Sequence, residues 1–358
     1  MPDAFLRELG RVSASFEGVH SAPFTLPPPL QKAAEALAPR AGTVVLLSGG
    51  DLDCARHHLL ATMPWLQLRG RGTRIEATLG EARFRFEADP FELLKQVVGR
   101  LKHDFDLPGL PVSNGLFGYL AYDLKDRLED LPRTAVDPWG LPDFCLYAPA
   151  ALLIQDSAPP PIEAETHLLT PIYTALEETR PGVAGERLTQ CLRQAESTSL
   201  SYGITGPFQS GFSAATYRAA VGRIREYIAA GDVYQVNMSQ CFEAPFEGDT
   251  YTLFQDLYRA NPAPFFAYVQ AGDHQVVSTS PERYLRLKGK AVETRPIKGT
   301  RPRSSDAAVD ASLKAELAAS PKDDAELSMI VDLLRNDIGR VCAGGSVRVC
   351  EHKRVEAY

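Results

Sequence analysis

The chain has 358 residues, with 38 Lys and Arg against 45 Asp and Glu, a net charge of −7 and 44% hydrophobic residues. That length allows two or three domains. The apolar fraction supplies a packed core and excludes global disorder, and the acidic balance argues against a nucleic-acid binder, which needs a basic surface to displace counterions.

No stretch reaches the roughly 20 continuous apolar residues of a spanning helix. The opening Met1-Pro2-Asp3-Ala4-Phe5-Leu6-Arg7-Glu8 lacks the basic-then-apolar layout of a secretory signal. Six scattered cysteines, with no CxxC pair and no His/Cys cluster, read as reduced thiols rather than a disulfide framework or a zinc site. Together these features point to the cytoplasm, with neither nucleic acid nor membrane as a partner.

In chain order, residues 41–47 read as a buried strand ended by the turn at Ser48-Gly49-Gly50-Asp51. Phe91, Leu94, Val98 and Leu101 recur at helical spacing, which predicts an amphipathic helix over 90–104. The aromatic, glycine-interrupted run 115–122 fits closely packed strands. Ser157-Ala158-Pro159-Pro160-Pro161 is a stiff loop, 186–196 a short helix, and the polar, turn-rich 195–210 the linker. Beyond it, Tyr217, Val221, Ile224 and Ile228 mark a helix capped by Gly231. Tyr234, Val236 and Met238 alternate as in a half-buried strand. A helix at 250–260, strands at 265–270, 275–280 and 284–287, a helix at 323–338 and a strand-like run at 346–350 follow. The layout is α+β, divided as 1–195, a linker at 196–210 and a region 211–358.

Three places could carry chemistry. In Glu293-Thr294-Arg295-Pro296-Ile297-Lys298-Gly299-Thr300-Arg301-Pro302-Arg303, a strand bearing Arg295 and Lys298 breaks at Gly299, where bare backbone would let a ligand approach. Lys298, if desolvated beside an apolar wall, could act as a nucleophile; the alternative is a solvated Lys/Arg turn. Glu282, in Ser280-Pro281-Glu282-Arg283, is a general acid or base if buried, or simply a salt-bridge partner of Arg283 or another neighbour. Asp323, Asp324 and Glu326 crowd a helix N-terminus, which the helix dipole favours without any function. Glu326, however, abuts the apolar face, and Mg²⁺ is commonly held by one or two carboxylates plus substrate oxygens. The chain has no GxSxG, Walker A, HExxH or EF-hand pattern, and its seven histidines show no ligand spacing.

Taken in order, Gly231-Asp232-Val233-Tyr234-Gln235-Val236-Asn237, Ser280-Pro281-Glu282-Arg283, Arg295-Pro296-Ile297-Lys298-Gly299-Thr300 and Ile330-Val331-Asp332-Leu333-Leu334-Arg335-Asn336-Asp337-Ile338-Gly339-Arg340-Val341 resemble the chorismate-utilising enzymes. That family includes anthranilate synthase component I, aminodeoxychorismate synthase component I, and the isochorismate and salicylate synthases. The match is strong over 210–358 and weak over the first 150 residues. It implies large mixed or antiparallel sheets packed as a sandwich with helices outside.

Lys298 stands where anthranilate synthases usually carry Ala and aminodeoxychorismate synthases usually carry Lys. The resemblance therefore implies amination of chorismate at C4 to 4-amino-4-deoxychorismate, toward 4-aminobenzoate and folate, in a heterodimer. Mg²⁺, with Glu326 as one ligand, would hold the C1 carboxylate. Lys298 would attack C2, Glu282 would protonate the departing C4 hydroxyl, and Gly299 and Thr300 would line the substrate. Ammonia would come from a glutamine amidotransferase subunit.

Two departures stand out. Family members often bind tryptophan between an N-terminal strand and the later sheet. Pro264 and Phe265 fit one half of that pocket and Arg56 is a remnant of the other, but Ser48-Gly49-Gly50-Asp51 replaces the usual acid-Ser-Ala, which argues against tryptophan binding. The family also continues past the position of Tyr358 into a substrate-gripping Arg and a second metal glutamate. The resemblance thus implies a chain cut short at its C-terminus and inactive alone, with anthranilate synthesis or a non-catalytic glutaminase-binding role as the alternatives.

Overall fold

The computed structural model describes residues 2–25, 30–50, 52–103, 107–132, 136–156, 165–194 and 201–357. In chain order, α1 (Asp3–Ala14), β1 (Phe16–Pro23) and α2 (Leu30–Leu37) precede β2 (Val44–Leu47), β3 (His57–Arg71), β4 (Arg74–Leu79) and β5 (Ala82–Glu87). Next come α3 (Pro90–Leu101), β6 (Phe117–Leu120), β7 (Phe144–Asp156), β8 (Thr166–Tyr173) and α4 (Pro181–Gln194). The remainder holds β9 (Tyr202–Ile204), β10 (Gln209–Ser210), α5 (Ala214–Ala230), β11 (Phe242–Glu243), β12 (Phe246–Gly248) and α6 (Thr250–Ala260). It closes with β13 (Phe265–Gln270), β14 (Gln275–Ser280), β15 (Arg283–Lys288), β16 (Ala291–Arg295), α7 (Ala307–Ala319) and α8 (Pro321–Gly339). No helix among the described residues is long and apolar enough to cross a membrane, and all six cysteines are free thiols.

The architecture is an antiparallel α+β fold, as the resemblance implied. Ten strands form one sheet along β1-β8-β7-β3-β2-β13-β14, with β4 and β5 continuing from β3 and β6 pairing with β7. The two longest strands, β3 and β7, make its spine. Strand β7 is buried at ten of its first eleven positions, so it reads as a continuous apolar run without alternation. Gly118 in β6 allows a close approach, because a Cβ there would fall 1.9 Å from the Cys145 carbonyl oxygen.

Phe5, Leu6, Leu9 and Val12 of α1 and Leu93 and Val97 of α3 close over Trp65, Leu66, Leu68 and Phe144 in one core. A second core gathers Val44, Ala61, Leu152, Leu169 and Val269. Polar contacts also tie distant strands. Arg69 pairs with Asp273 at 2.5 Å, Asp273 holds His274 at 2.7 Å, and His274 is hydrogen-bonded to the Tyr119 hydroxyl at 2.8 Å.

The chain separates into two compact units, Met1–Glu196 with Phe254–Tyr358, and Ser197–Leu253. In the second unit β9 pairs with β12 and β10 with β11. There Ser213 and Thr216 form a capping box at the start of α5, and Gly231 ends it at φ +82°.

Several local expectations need correction. On α3, Leu93 and Val97 are fully buried and Phe91, Leu94 and Leu101 pack partly buried against the same core, while Val98 is 53% exposed. The helix also stops at Leu101, and residue 104 lies outside the described residues. Residues 234–239 and 346–350 have the alternation of strands but form none, because a strand needs a ladder partner and no described strand lies beside them. The helix expected over 186–196 starts earlier, at Pro181, and ends at Gln194. The stiff loop at 157–161 and residues 195–200 of the expected linker lie outside the described residues, and 201–210 carry β9 and β10.

Candidate active site

Strand β16 ends at Arg295, because Pro296 has no N–H to continue the ladder. Lys298 therefore lies three residues beyond the strand rather than on it, half-buried in a loop. Glu282 sits between β14 and β15, where its N–H donates to the Ser280 hydroxyl at 3.1 Å. Its Oε1 accepts the Ile297 N–H at 3.1 Å, so the carboxylate is fastened to the residue next to Lys298. Arg283 does not pair with Glu282. Its guanidinium binds Glu293 and lies 5.5 Å from the centre of the Phe265 ring.

The cations of this segment are sorted by their partners. Arg295 makes a two-pronged ion pair with Asp53 at 2.9 Å and holds Glu293 at 2.7 Å. Arg301 binds Glu316 at 2.7 Å and Asp323 at 3.2 Å, and Arg303 binds Asp310 at 2.8 Å. No acid stands within ion-pair distance of Lys298 among the described residues, so it is the cation of the run left for another partner. The paired arginine hydrogen bond from Arg295 holds the Asp53 carboxyl well below the usual range, with Arg354 adding to it, and Asp53 in turn raises Arg295. Burial alone would raise Glu293, but Arg283 and Arg295 outweigh it and keep that carboxyl low. Sequence reasoning missed Asp53, which sits in a short polar turn with no motif to mark it.

Gly299 is left-handed, at φ +74°. Its missing side chain was expected to admit a ligand. Instead the space is filled from within: a Cβ would fall 2.9 Å from Asp323 Cβ and 3.0 Å from Leu317 Cδ1. The glycine seats the Lys298 loop on α7 and the first turn of α8. There Ser320 caps the helix and, with Arg301, lowers the Asp323 carboxyl. Thr300 is exposed, and its carbonyl accepts from Arg301 Nη1 at 2.9 Å. Glu326 is half-buried on α8, three residues past Asp323.

The structure thus ties Glu282, between β14 and β15, to the loop of Lys298 and Gly299, which is braced by α7 and α8. It forms no group of three or more His, Cys, Asp or Glu able to hold a metal among the described residues. Glu326 is a single carboxylate, a donor set that fits Mg²⁺ only if substrate oxygens and water complete the shell.

Residues 59–358 match the family described as chorismate binding enzyme. The chain belongs to the chorismate-binding enzymes. It is 34% identical over 328 residues to anthranilate synthase component 1 of Cereibacter sphaeroides, covering 87% of this chain and 64% of that protein. It is 37% identical over 271 residues to aminodeoxychorismate synthase component 1 of Salmonella typhimurium, covering 75% and 57%. The solved anthranilate synthase component I from Streptococcus pneumoniae TIGR4 superposes with a TM-score of 0.69 at 25% identity, over 85% of this chain and 66% of that one. The chain therefore spans less than two thirds of the length of each of these three relatives.

In this member of the family the residues considered for tryptophan are engaged with one another or with their own loop. Ser48 Oγ donates to the Pro264 carbonyl at 2.8 Å, and Gly49 N–H to the Ala263 carbonyl at 3.1 Å. A Cβ on Gly49 would fall 2.5 Å from Pro262 Cβ. Arg56 is exposed and turns back to the Asp53 carbonyl at 2.8 Å, while Phe265 faces Arg283.

Proposed function

We propose that this chain aminates chorismate at C4, the aminodeoxychorismate synthase reaction. The observation that carries the reading is Lys298, unpaired in a loop where every neighbouring arginine is paired, with the Glu282 carboxylate bonded to the adjacent Ile297 N–H at 3.1 Å. A lysine free of a counter-ion can be desolvated by substrate and give up its proton.

In the proposed sequence, Lys298 Nζ forms a bond to C2 as the ring double bond shifts and the C4–O bond breaks. Glu282 gives its proton to the departing hydroxyl, which leaves as water. Ammonia then bonds to C4, the double bond shifts back, and the C2–N bond to lysine breaks. One difficult substitution becomes two easier ones. Bound Mg²⁺ would neutralise the C1 carboxylate, with Glu326 as its protein ligand. The name component 1 on the curated relatives supports a second component as partner, here a glutaminase that supplies ammonia.

The anthranilate synthase reading rests on the relatives of that name at similar identity, and the product separates the two. With chorismate, ammonia and Mg²⁺, the full-length protein should form aminodeoxychorismate without releasing pyruvate, and Lys298→Ala should form none. Pyruvate release would favour anthranilate synthesis. Full activity in Lys298→Ala would remove the covalent step.

A further inference from the structure

Away from the Lys298 loop, a cavity of about 330 Å³ opens where α4 and the segment after α2 lie over β3 and β7. That volume is at the small end of ligand sites. Its floor is apolar, from Met63, Ala150 and Ala184, and its charged lining is Arg40, Arg187 and Glu178. These charges do not neutralise one another. Neither arginine stands within ion-pair distance of Glu178 or of any other acid among the described residues. Opposite charges around one cavity that fail to bridge leave a gap for a molecule carrying the complementary groups.

The backbone gives a second, independent observation. Met63 has φ +54°, one of two non-glycine residues at positive φ among those described. It stands two residues before the β3–β7 irregularity, where the register shifts between Pro64 and Leu66. Across from it, Thr62 pairs with Ala151 and Pro64 with Pro149, so Met63 and Ala150 face the same interval and both line the cavity. A non-glycine residue held at positive φ costs about 1–3 kcal/mol, and such residues cluster at binding sites.

We propose that this cavity binds a small amino dicarboxylate. Two guanidiniums would take the two carboxylates by charge-assisted hydrogen bonds, Glu178 would take the ammonium, and the methylene chain would rest on Met63 and Ala150. The assignment rests on no step of the amination chemistry and is tested without it.

Isothermal titration of the intact chain with L-glutamate should give saturable one-site binding. Arg187→Ala and Glu178→Gln, both substitutions at surface-facing positions, should each weaken it at least about tenfold. L-leucine, which lacks the second carboxylate, and inorganic phosphate, which lacks the amine, should bind at least about tenfold more weakly than glutamate. No saturation by glutamate up to about 10 mM overturns the proposal. So does phosphate binding as tightly as glutamate with affinity unchanged in Glu178→Gln, which would mark a general anion surface.

Discussion

At the scale of single residues, Gly299 has a packing reason for being glycine that differs from the expected one. A glycine after Lys298 suggested room for substrate, yet the room is taken by Asp323 and Leu317. Its function is to let the loop lie flat against α7 and α8 at φ +74°. Gly299→Ala should therefore cost about 2 kcal/mol or more, from the left-handed backbone and the overpacked contact together. If the proposed amination holds, the substitution should also cut that reaction by about a hundredfold by displacing Lys298 from Glu282. Lys298→Ala should abolish the reaction while leaving the urea midpoint within about 0.5 kcal/mol of the parent. If Gly299→Ala keeps both stability and turnover, the loop is not seated as described. Glu282 and Lys298 could be singled out because each lies in a short motif. Their coupling through the Ile297 N–H was not, because a carboxylate accepting from a backbone amide leaves no trace in residue type. Asp53 was illegible for the same reason: its partner Arg295 lies far along the chain, and proximity there is set by tertiary packing.

At the scale of elements, periodicity located α3, α4, α5, α6 and α8 but not α1, α2 or α7, and it read the buried faces unevenly. The face predicted for α8, Leu327, Ile330, Val331, Leu334 and Ile338, is half-buried throughout, whereas Met329 and Leu333 beside it are exposed at 38% and 43%. On α3 three of the four expected positions, Phe91, Leu94 and Leu101, pack partly buried against the core, and only Val98 departs. Leu93 and Val97 satisfy the helical spacing equally and are the fully enclosed pair on the same side of the helix. The comparison is measurable. Val97→Ala should lose about 2 kcal/mol from a fully enclosed site, and Val98→Ala should change stability by less than about 0.5 kcal/mol. Equal losses in urea denaturation would show that α3 packs differently. The alternation at 234–239 misled for another reason. Period two gives a strand its faces, but only a neighbouring strand gives it hydrogen bonds, and the sequence pattern says nothing of neighbours.

At the scale of the whole molecule, the large sheet depends on pairing across long separations. Strand β2 binds β3 on one side and β13 on the other, so residues 44–47 lie between strands from opposite ends of the chain. His58, on β3 beside this junction, is 8% exposed, and its Nδ1 accepts the Ser48 N–H at 3.1 Å. Burial, with a smaller contribution from the charge of His57, lowers its pKa to about 4. A histidine held neutral in the fold but titrating near 6.5 when unfolded adds stability that is complete above about pH 6.5. That stability is lost progressively as the pH falls toward 4. The difference corresponds to about 3 kcal/mol across that window. Asp273, lowered to about 2 chiefly by its hydrogen bond from Arg69, acts in a separate range. Its contribution is complete above about pH 3.9 and is lost only below it. Urea midpoints between about pH 7 and 4.5 should therefore fall more steeply in the parent than in His58→Gln, whose neutral amide oxygen can accept the same Ser48 N–H without titrating. Parallel curves for the two proteins would show that His58 is not the group whose protonation opens the sheet.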